Sequence, residues 1–407
     1  MDKLEYTNKI FDEYESRFQD AIKKKPHYKP WEQADRKKIK DLIKEVLGYK
    51  EELVPELSVI SKKNIRNCEY TVEVVLAQSW KNCYTCANLY KPVKTGKIPL
   101  IFVFCGHGNH GRLTESYQAM AQRLVKQGAA VLLVENIGQG ERAFMGHVPC
   151  TMPFYCGLSL QGMIVMESVA WINEACKWDF VDETKIGVCG NSGGGVLTMF
   201  ISALCDKISC VASTGYPSSF GWIGSKEKLH CHCNVLPHVL SKLEMFDVYS
   251  LIAPRPLIMM QGYNDEYFPS DLFNRNARNV LLTYKKLGAE DKLVCDVVPG
   301  MHSWDNNRRF IISKFFAQNF SLDDAVEYDD TNDLFDPNVS YVDFPDISMT
   351  TDEVAMSITG IRSDKKLRLY DVFVPLYKGK KIKEDEIIKD FGKGDCMQIF
   401  AQFEAFV

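Results

Sequence analysis

From Ile98 to Phe104 the chain runs without a charged or hydrogen-bonding side chain. A short unbroken apolar stretch of this kind reads as a strand buried on both faces of a parallel sheet. Ala129 to Val134 has the same character. Tyr70-Thr-Val-Glu-Val-Val-Leu alternates instead and is rich in β-branched residues, the pattern of a half-buried strand. Ala87-Asn-Leu-Tyr-Lys-Pro reads as a second strand, and Lys185-Ile-Gly-Val-Cys, Ile208–Ala212, Pro256–Gln261 and Leu293–Val298 as further strands. Helical spacing predicts helices over Tyr117–Lys126, Leu160–Lys177, the apolar segment up to Ala203, and Asp271–Leu287. Strands alternating with helices specify an α/β fold: a mostly parallel central sheet with helices on both faces. Residues 136–159, mixed in Gly, Pro and aromatic side chains, read as irregular.

The two ends have a different texture. Residues 1–60 are predicted to form an N-terminal helical extension, interrupted at Pro26 and Pro30. Leu42, Ile43, Val46 and Leu47 mark one helix face and Gly48 its stop, so this region reads as a brace against the core or a subunit contact. Residues 61–322 form the central domain. Residues 323–407 read as an acidic linker, Asp323 to Asp336, followed by a small α+β appendage that includes Leu367-Arg-Leu-Tyr-Asp-Val-Phe-Val-Pro.

Composition narrows the partners. Of 407 residues, 46% are hydrophobic and 25% charged, and the formal net charge is -4. That balance argues against a nucleic-acid partner, which calls for a basic face. No apolar run is long enough to span a membrane, and Met1-Asp-Lys-Leu-Glu-Tyr lacks the apolar run of a leader. The expectation is a cytoplasmic protein without a membrane partner, acting on a small-molecule or carbohydrate ester, with a homo-oligomer allowed. Most of the fourteen cysteines sit in apolar runs and read as small hydrophobes. Cys83-x-x-Cys86 has no second pair at zinc-finger spacing. In His230-Cys-His-Cys233 adjacent side chains diverge, so a loop beneath the active site is preferred to a metal centre. No metal and no organic cofactor is expected.

Gly190-Asn191-Ser192-Gly193-Gly194 fits G-x-S-x-G between a predicted strand and a predicted helix, the setting of a nucleophile elbow. A serine on such a turn needs neighbours without side chains, and the next backbone N–H faces the oxyanion at a helix N-terminus. Ser192 is therefore the candidate nucleophile and Gly193 an oxyanion donor. A nucleophilic serine needs a base, and the base an orienting carboxylate, here in the chain order Ser, acid, His. Asp265 follows the strand Pro256–Gln261, with Glu266 as its rival, and His302 follows Leu293–Val298. The second oxyanion donor is assigned to the backbone of His107 in Gly106-His-Gly-Asn-His-Gly111; His107 and His110 without a carboxylate make weak evidence for a metal. Asn191, Phe154, Tyr155 and Trp222 are candidate substrate contacts.

Cys105-Gly-His-Gly-Asn-His-Gly-Arg112, Gly138-Gln-Gly-Glu-Arg142, Gly157 to Ser168, Gly190 to Gly195, Ile252-Ala-Pro-Arg-Pro-Leu257 and the Asp265 and His302 loops together resemble the acetyl xylan esterase and dienelactone-hydrolase-like branch of the α/β-hydrolases. The resemblance covers residues 30 to 318. It implies an α/β-hydrolase fold for the central domain, and hydrolysis of short acyl esters, often on carbohydrates, without a cofactor. It departs at Cys105, where the branch usually carries histidine. A serine peptidase of the same fold and a non-catalytic binding protein are the competing readings.

Overall fold

The structure, a computed structural model, describes residues 3–67, 69–147, 152–225, 231–324 and 340–361. Nine strands form one sheet in the order β1-β2-β3-β5-β4-β6-β7-β8-β9. They are β1 (Ser58–Asn67), β2 (Tyr70–Gln78), β3 (Tyr84–Pro92), β4 (Ile98–Phe104), β5 (Ala130–Val134), β6 (Val181–Asn191), β7 (Ile208–Thr214), β8 (Leu257–Gly262) and β9 (Leu293–Val298). The pairs β1–β2, β2–β3 and β3–β5 are antiparallel. From β5 through β4, β6, β7 and β8 to β9 every pair is parallel. β4 and β5 are buried along their whole length, as their uninterrupted apolar runs require.

The sequence pattern does not predict β1. Ser61-Lys-Lys-Asn64 offers no apolar alternation because β1 is the sheet edge, exposed along most of its length. Lysines on an edge strand also discourage pairing with a second chain. β6 starts earlier than its apolar core indicates, through the polar residues Asp182, Glu183 and Thr184.

Helices cover both faces. α1 (Lys3–Lys24) and α2 (Gln33–Leu47) precede the sheet; α3 (Glu115–Lys126), α4 (Met152–Tyr155), α5 (Leu160–Ala175), α6 (Gly193–Leu204), α7 (Phe220–Ser225), α8 (Met245–Ser250), α9 (Ser270–Lys286) and α10 (Asn306–Phe320) follow in order. α2 buries Ile39, Ile43, Val46 and Leu47 and closes at Gly48 in the left-handed region, where Gly48 and Tyr49 donate to Glu45 and Lys44. Arg36 ties α2 to the body, donating to the carbonyls of Leu251 and Ala253, both at 2.8 Å. Residues 340–361 also lie on the body: Arg112 donates to Ser340 O at 3.0 Å, and a helix Thr351–Thr359 meets α4. Residues 362–407, including the Leu367 to Pro375 segment, lie outside the described residues. Among the described residues no helix is long and apolar enough to cross a membrane.

Two buried arginines, each paired with glutamate, hold the loops above the sheet. Arg142 makes a two-pronged contact with Glu167 at 2.6 and 2.9 Å. Arg112 meets Glu135 and Glu141 and donates to Asn88 at 3.0 Å. The conspicuous Arg112 and Gly138–Arg142 segments therefore serve architecture: they fix the loops after β4 and β5. Cys83 and Cys86 are buried beside these pairs, and burial pushes their thiols up to about 11 and about 12. Both are neutral thiols under ordinary conditions.

Candidate active site

Ser192 stands where β6 turns into α6, with φ 58° and ψ -120°, a backbone that side-chain-bearing residues rarely adopt. The turn closes only because its neighbours are glycine. A Cβ on Gly190 would lie 2.3 Å from Gly194 O, and one on Gly194 would lie 2.0 Å from Phe104 O. The Ser192 amide donates to Thr214 O at the end of β7. This fixes the serine over the carboxyl ends of the parallel strands, where ligands collect in open α/β sheets.

Asp265 follows β8 and His302 follows β9. His302 Nε2 lies 2.8 Å from Ser192 Oγ, and His302 Nδ1 lies 2.8 Å from Asp265 Oδ2. The other Asp265 oxygen accepts from the Tyr267 and Phe268 amides at 2.9 and 2.8 Å, so the buried carboxylate is held in one orientation. Glu266 does not reach the ring; its Oε2 accepts from the His302 backbone N–H at 3.0 Å. Tyr267 and Phe268 pack on the imidazole at ring separations of 4.9 and 5.6 Å.

Arg308, buried on α10, secures the histidine loop by donating to the carbonyls of Met301 and Ser303. Nothing in the local sequence marks it as part of the site, although it also reaches the side chains of Ser303 and Asp305 in the preceding turn.

On the opposite side, Gly106 abuts the elbow: a Cβ there would lie 3.2 Å from Gly193 N. Its amide donates to Tyr117 Oη at 2.5 Å. The His107 ring touches Gly193, 3.1 Å from the position a Cβ would take. Gly193 opens α6, so its N–H belongs to the unpaired first turn of a helix. Cys105 occupies the place of the expected histidine as a wholly buried thiol, raised well above its ordinary value by burial.

Ser192 opens into a cavity of about 470 Å³. His107, Thr114, Ser116, Asn191, Gly193, Cys231, Asn234 and His302 line it, with Tyr117, Tyr216, Tyr267, Phe268 and Trp304 as its aromatic wall. Burial raises Tyr117 and Tyr216 well above the ordinary phenol value, so both hydroxyls stay protonated. Of the expected substrate contacts, Asn191 lines this cavity. Phe154, Tyr155 and Trp222 do not. Phe154 and Tyr155 pack on the core, Phe154 against the His232 ring. Trp222 borders a separate cavity of about 600 Å³ and donates from its indole to Tyr267 O at 2.9 Å. Helical or loop position alone does not set the direction of an aromatic side chain.

The structure also joins residues that the sequence leaves apart. His107 meets His147, Cys231 and Cys233, whose ring nitrogens and sulfurs all lie within 4.8 Å of one another. Burial opposes ionisation of Cys231, but the hydrogen bond with Cys233 and the facing His107 and His147 rings hold its thiol well below the ordinary value. His110 is not in this group, and His230 lies outside the described residues.

Residues 59–222 match the family model for acetyl xylan esterase (AXE1). The chain is 24% identical over 219 residues to the putative hydrolase YtaP of Bacillus subtilis (strain 168), covering 50% of this chain and 73% of that protein. Among solved structures it is similar to the methylesterase BT1017, with a TM-score of 0.62 and 20% identity over 87% of this chain and 75% of the other. Acetyl xylan esterase 1 from Thermoanaerobacterium sp. JW/SL YS485 superposes with a TM-score of 0.51 and 16% identity, covering 69% of this chain and 93% of that one. A glucuronoyl esterase from Solibacter usitatus gives 0.54 and 14%, over 70% and 93% of the two chains.

Proposed function

We propose that the chain is a carboxylic ester hydrolase of the α/β-hydrolase superfamily, in its acetyl xylan esterase-like branch, and that it acts as a serine esterase on acetyl or other short acyl groups, including those borne on carbohydrates. One observation carries this reading: the continuous contact from Ser192 Oγ through His302 to Asp265, opening onto a partly aromatic cavity.

In this scheme His302 Nε2 takes the Ser192 proton as Oγ bonds the acyl carbon. Asp265 holds Nδ1–H and stabilises the imidazolium that forms. The carbonyl oxygen becomes an oxyanion that accepts from the Gly193 and His107 amides at the positive end of α6. Collapse breaks the ester C–O bond, and the departing alkoxide takes the proton from His302. Water then repeats the sequence on the acyl-enzyme, releasing the carboxylic acid and restoring Ser192. At about 470 Å³ the cavity is near the low end of small-molecule sites, which suits a short acyl group beside one sugar-sized alcohol.

The test is a panel of acetyl, butyryl and octanoyl esters, acetylated xylo-oligosaccharides and peptide amides, together with fluorophosphonate labelling. Rapid acetyl ester turnover with one label on Ser192 is expected. Cleavage of amides in preference to esters points to a peptidase, and a folded chain that neither labels nor turns over is a binding protein.

A further inference from the structure

The cluster of His107, His147, Cys231 and Cys233 beside the serine pocket has no part in acyl transfer beyond the His107 amide. Its members come from three separate loops. His107 follows β4, His147 follows the turn Gly140–Met145, and the two cysteines flank His232, Cys231 just before the turn His232–Asn234 and Cys233 within it. His107 Nε2 lies 3.2 Å from His147 Nε2, 2.8 Å from Cys231 Sγ and 3.5 Å from Cys233 Sγ. His147 Nε2 lies 3.3 Å from Cys231 Sγ.

A tetrahedral zinc ion with Zn–N near 2.0–2.1 Å and Zn–S near 2.3 Å separates its ligand atoms by roughly 3.3–3.8 Å. Four of the six separations run from 2.8 to 3.5 Å and the others lie within 4.8 Å, so the set reaches that edge length after shifts of up to about 1 Å. The surroundings are also those of a ligand set. His147 Nδ1 lies 2.9 Å from Ile137 O, which fixes the proton on Nδ1 and leaves the Nε2 lone pair facing the cluster. Asn234 Nδ2 donates to Cys233 Sγ at 3.6 Å, while its Oδ1 accepts from Tyr216 Oη at 2.9 Å. His147 and Cys233 are buried and Cys231 is half-buried. His232, between the two cysteines, turns away toward Phe154, while the tight turn His232–Asn234 brings Cys231 and Cys233 to the same cluster.

We propose that His107 Nε2, His147 Nε2, Cys231 Sγ and Cys233 Sγ form a four-coordinate zinc site. Two imidazoles and two thiolates in a tetrahedron select zinc, and four protein ligands leave no open position for substrate, so the site is structural. Binding takes both sulfurs as thiolates and both imidazoles as neutral rings, and releases to solvent any proton that these groups still hold. The ion clasps the His107 loop to the wall formed by Cys231 and Asn234, and thereby holds the His107 amide over the elbow.

The test uses the full chain, expressed with zinc in the medium and kept reduced. Elemental analysis is expected to give about one zinc per chain, with Cys231 and Cys233 protected from a thiol reagent until a chelator is added. Replacement by cobalt(II) should produce thiolate-to-cobalt charge-transfer absorption and the strong visible bands of a tetrahedral ion. Cys233→Ser and His147→Ala should each weaken zinc binding by at least about 100-fold, beyond what loss of an outer-shell partner costs. A wild-type chain that carries far less than one zinc, gives no charge-transfer band with cobalt, or holds a Cys231–Cys233 disulfide overturns the proposal. None of these readings depends on ester turnover, and the zinc content, thiol protection and cobalt spectrum of the wild-type chain decide the proposal even where a variant fails to fold.

Discussion

Glu266 grips the backbone of His302 and leaves the imidazole to Asp265: its Oε2 lies 3.0 Å from the His302 amide nitrogen, whereas Asp265 Oδ2 lies 2.8 Å from Nδ1. The two neighbouring acids therefore differ in task. Asp265→Asn should lower kcat by about 10⁴-fold, because an amide favours the wrong imidazole tautomer. Glu266→Gln keeps an acceptor for the same N–H and should cost less than about 10²-fold, the scale of a small misplacement. Steady-state kinetics on the two purified variants decide it, and the reverse order of losses would transfer the orienting role to Glu266.

At Ser192 the backbone and the nucleophile make separable predictions. Ser192→Ala should reduce ester turnover by on the order of 10⁴ to 10⁶ and abolish fluorophosphonate labelling, while chemical denaturation stays near wild type. Ser192→Gly should be equally inactive yet more stable than Ser192→Ala by about 1 kcal/mol, because glycine accepts the φ of 58° without strain. Near-native turnover in either folded variant would remove Ser192 from the mechanism. Equal stability of the two would show that the elbow stores no strain.

The sequence carries much of this arrangement because the relevant signals are local. Ile98–Phe104 can only be a strand inside the sheet, and Gly190 to Gly194 can only be a tight turn, so the position of Ser192 follows from a few adjacent residues. Asp265 and His302 follow the last two strands, and that position together with chain order picks them out, although only the geometry separates Asp265 from the adjacent Glu266. What cannot be read depends on side-chain direction or on distant loops. Phe154 and Trp222 lie on the expected segments but face the core and a second cavity. His147 joins His107 and Cys231 across sequence separations of 40 and 84 residues, with no spacing to announce it. β1 is hidden because an exposed edge needs no hydrophobic alternation.

The Arg142–Glu167 pair should behave as a buried unit. Both side chains are almost wholly shielded, and Glu167 also accepts from Ser79 Oγ at 2.7 Å. Arg142→Met leaves that carboxylate without its cation, and Glu167→Gln leaves the guanidinium without its anion. Each should cost roughly 3–5 kcal/mol, and the double variant less than the sum of the two. Equilibrium urea unfolding of the three variants measures this. Additive losses would mean that the two groups act independently.

Asp247 makes stability depend on pH. It sits at the start of α8 with Oδ2 accepting from the Glu244 amide at 2.8 Å, while Oδ1 has no hydrogen-bond partner. Burial and, to a lesser extent, nearby Glu244 and Asp35 push its carboxyl up to about 7, against the pull of the Glu244 amide and Lys25. The unfolded chain releases this proton near the ordinary aspartate value of about 3.9. Between those values the native state binds the proton and the unfolded state does not, so stability falls as pH rises. The contribution is fully present below the unfolded value and is lost by the time pH passes the folded one. Asp247→Asn cannot ionise, and its amide oxygen can still accept from Glu244. The variant should therefore gain on the wild type steadily from pH 5 to pH 7 and hold a constant advantage above that, at up to about 1.4 kcal/mol per pH unit. Urea unfolding midpoints at closely spaced pH values test this directly. Parallel curves for the two proteins across that range would mean that Asp247 is already ionised in the folded chain.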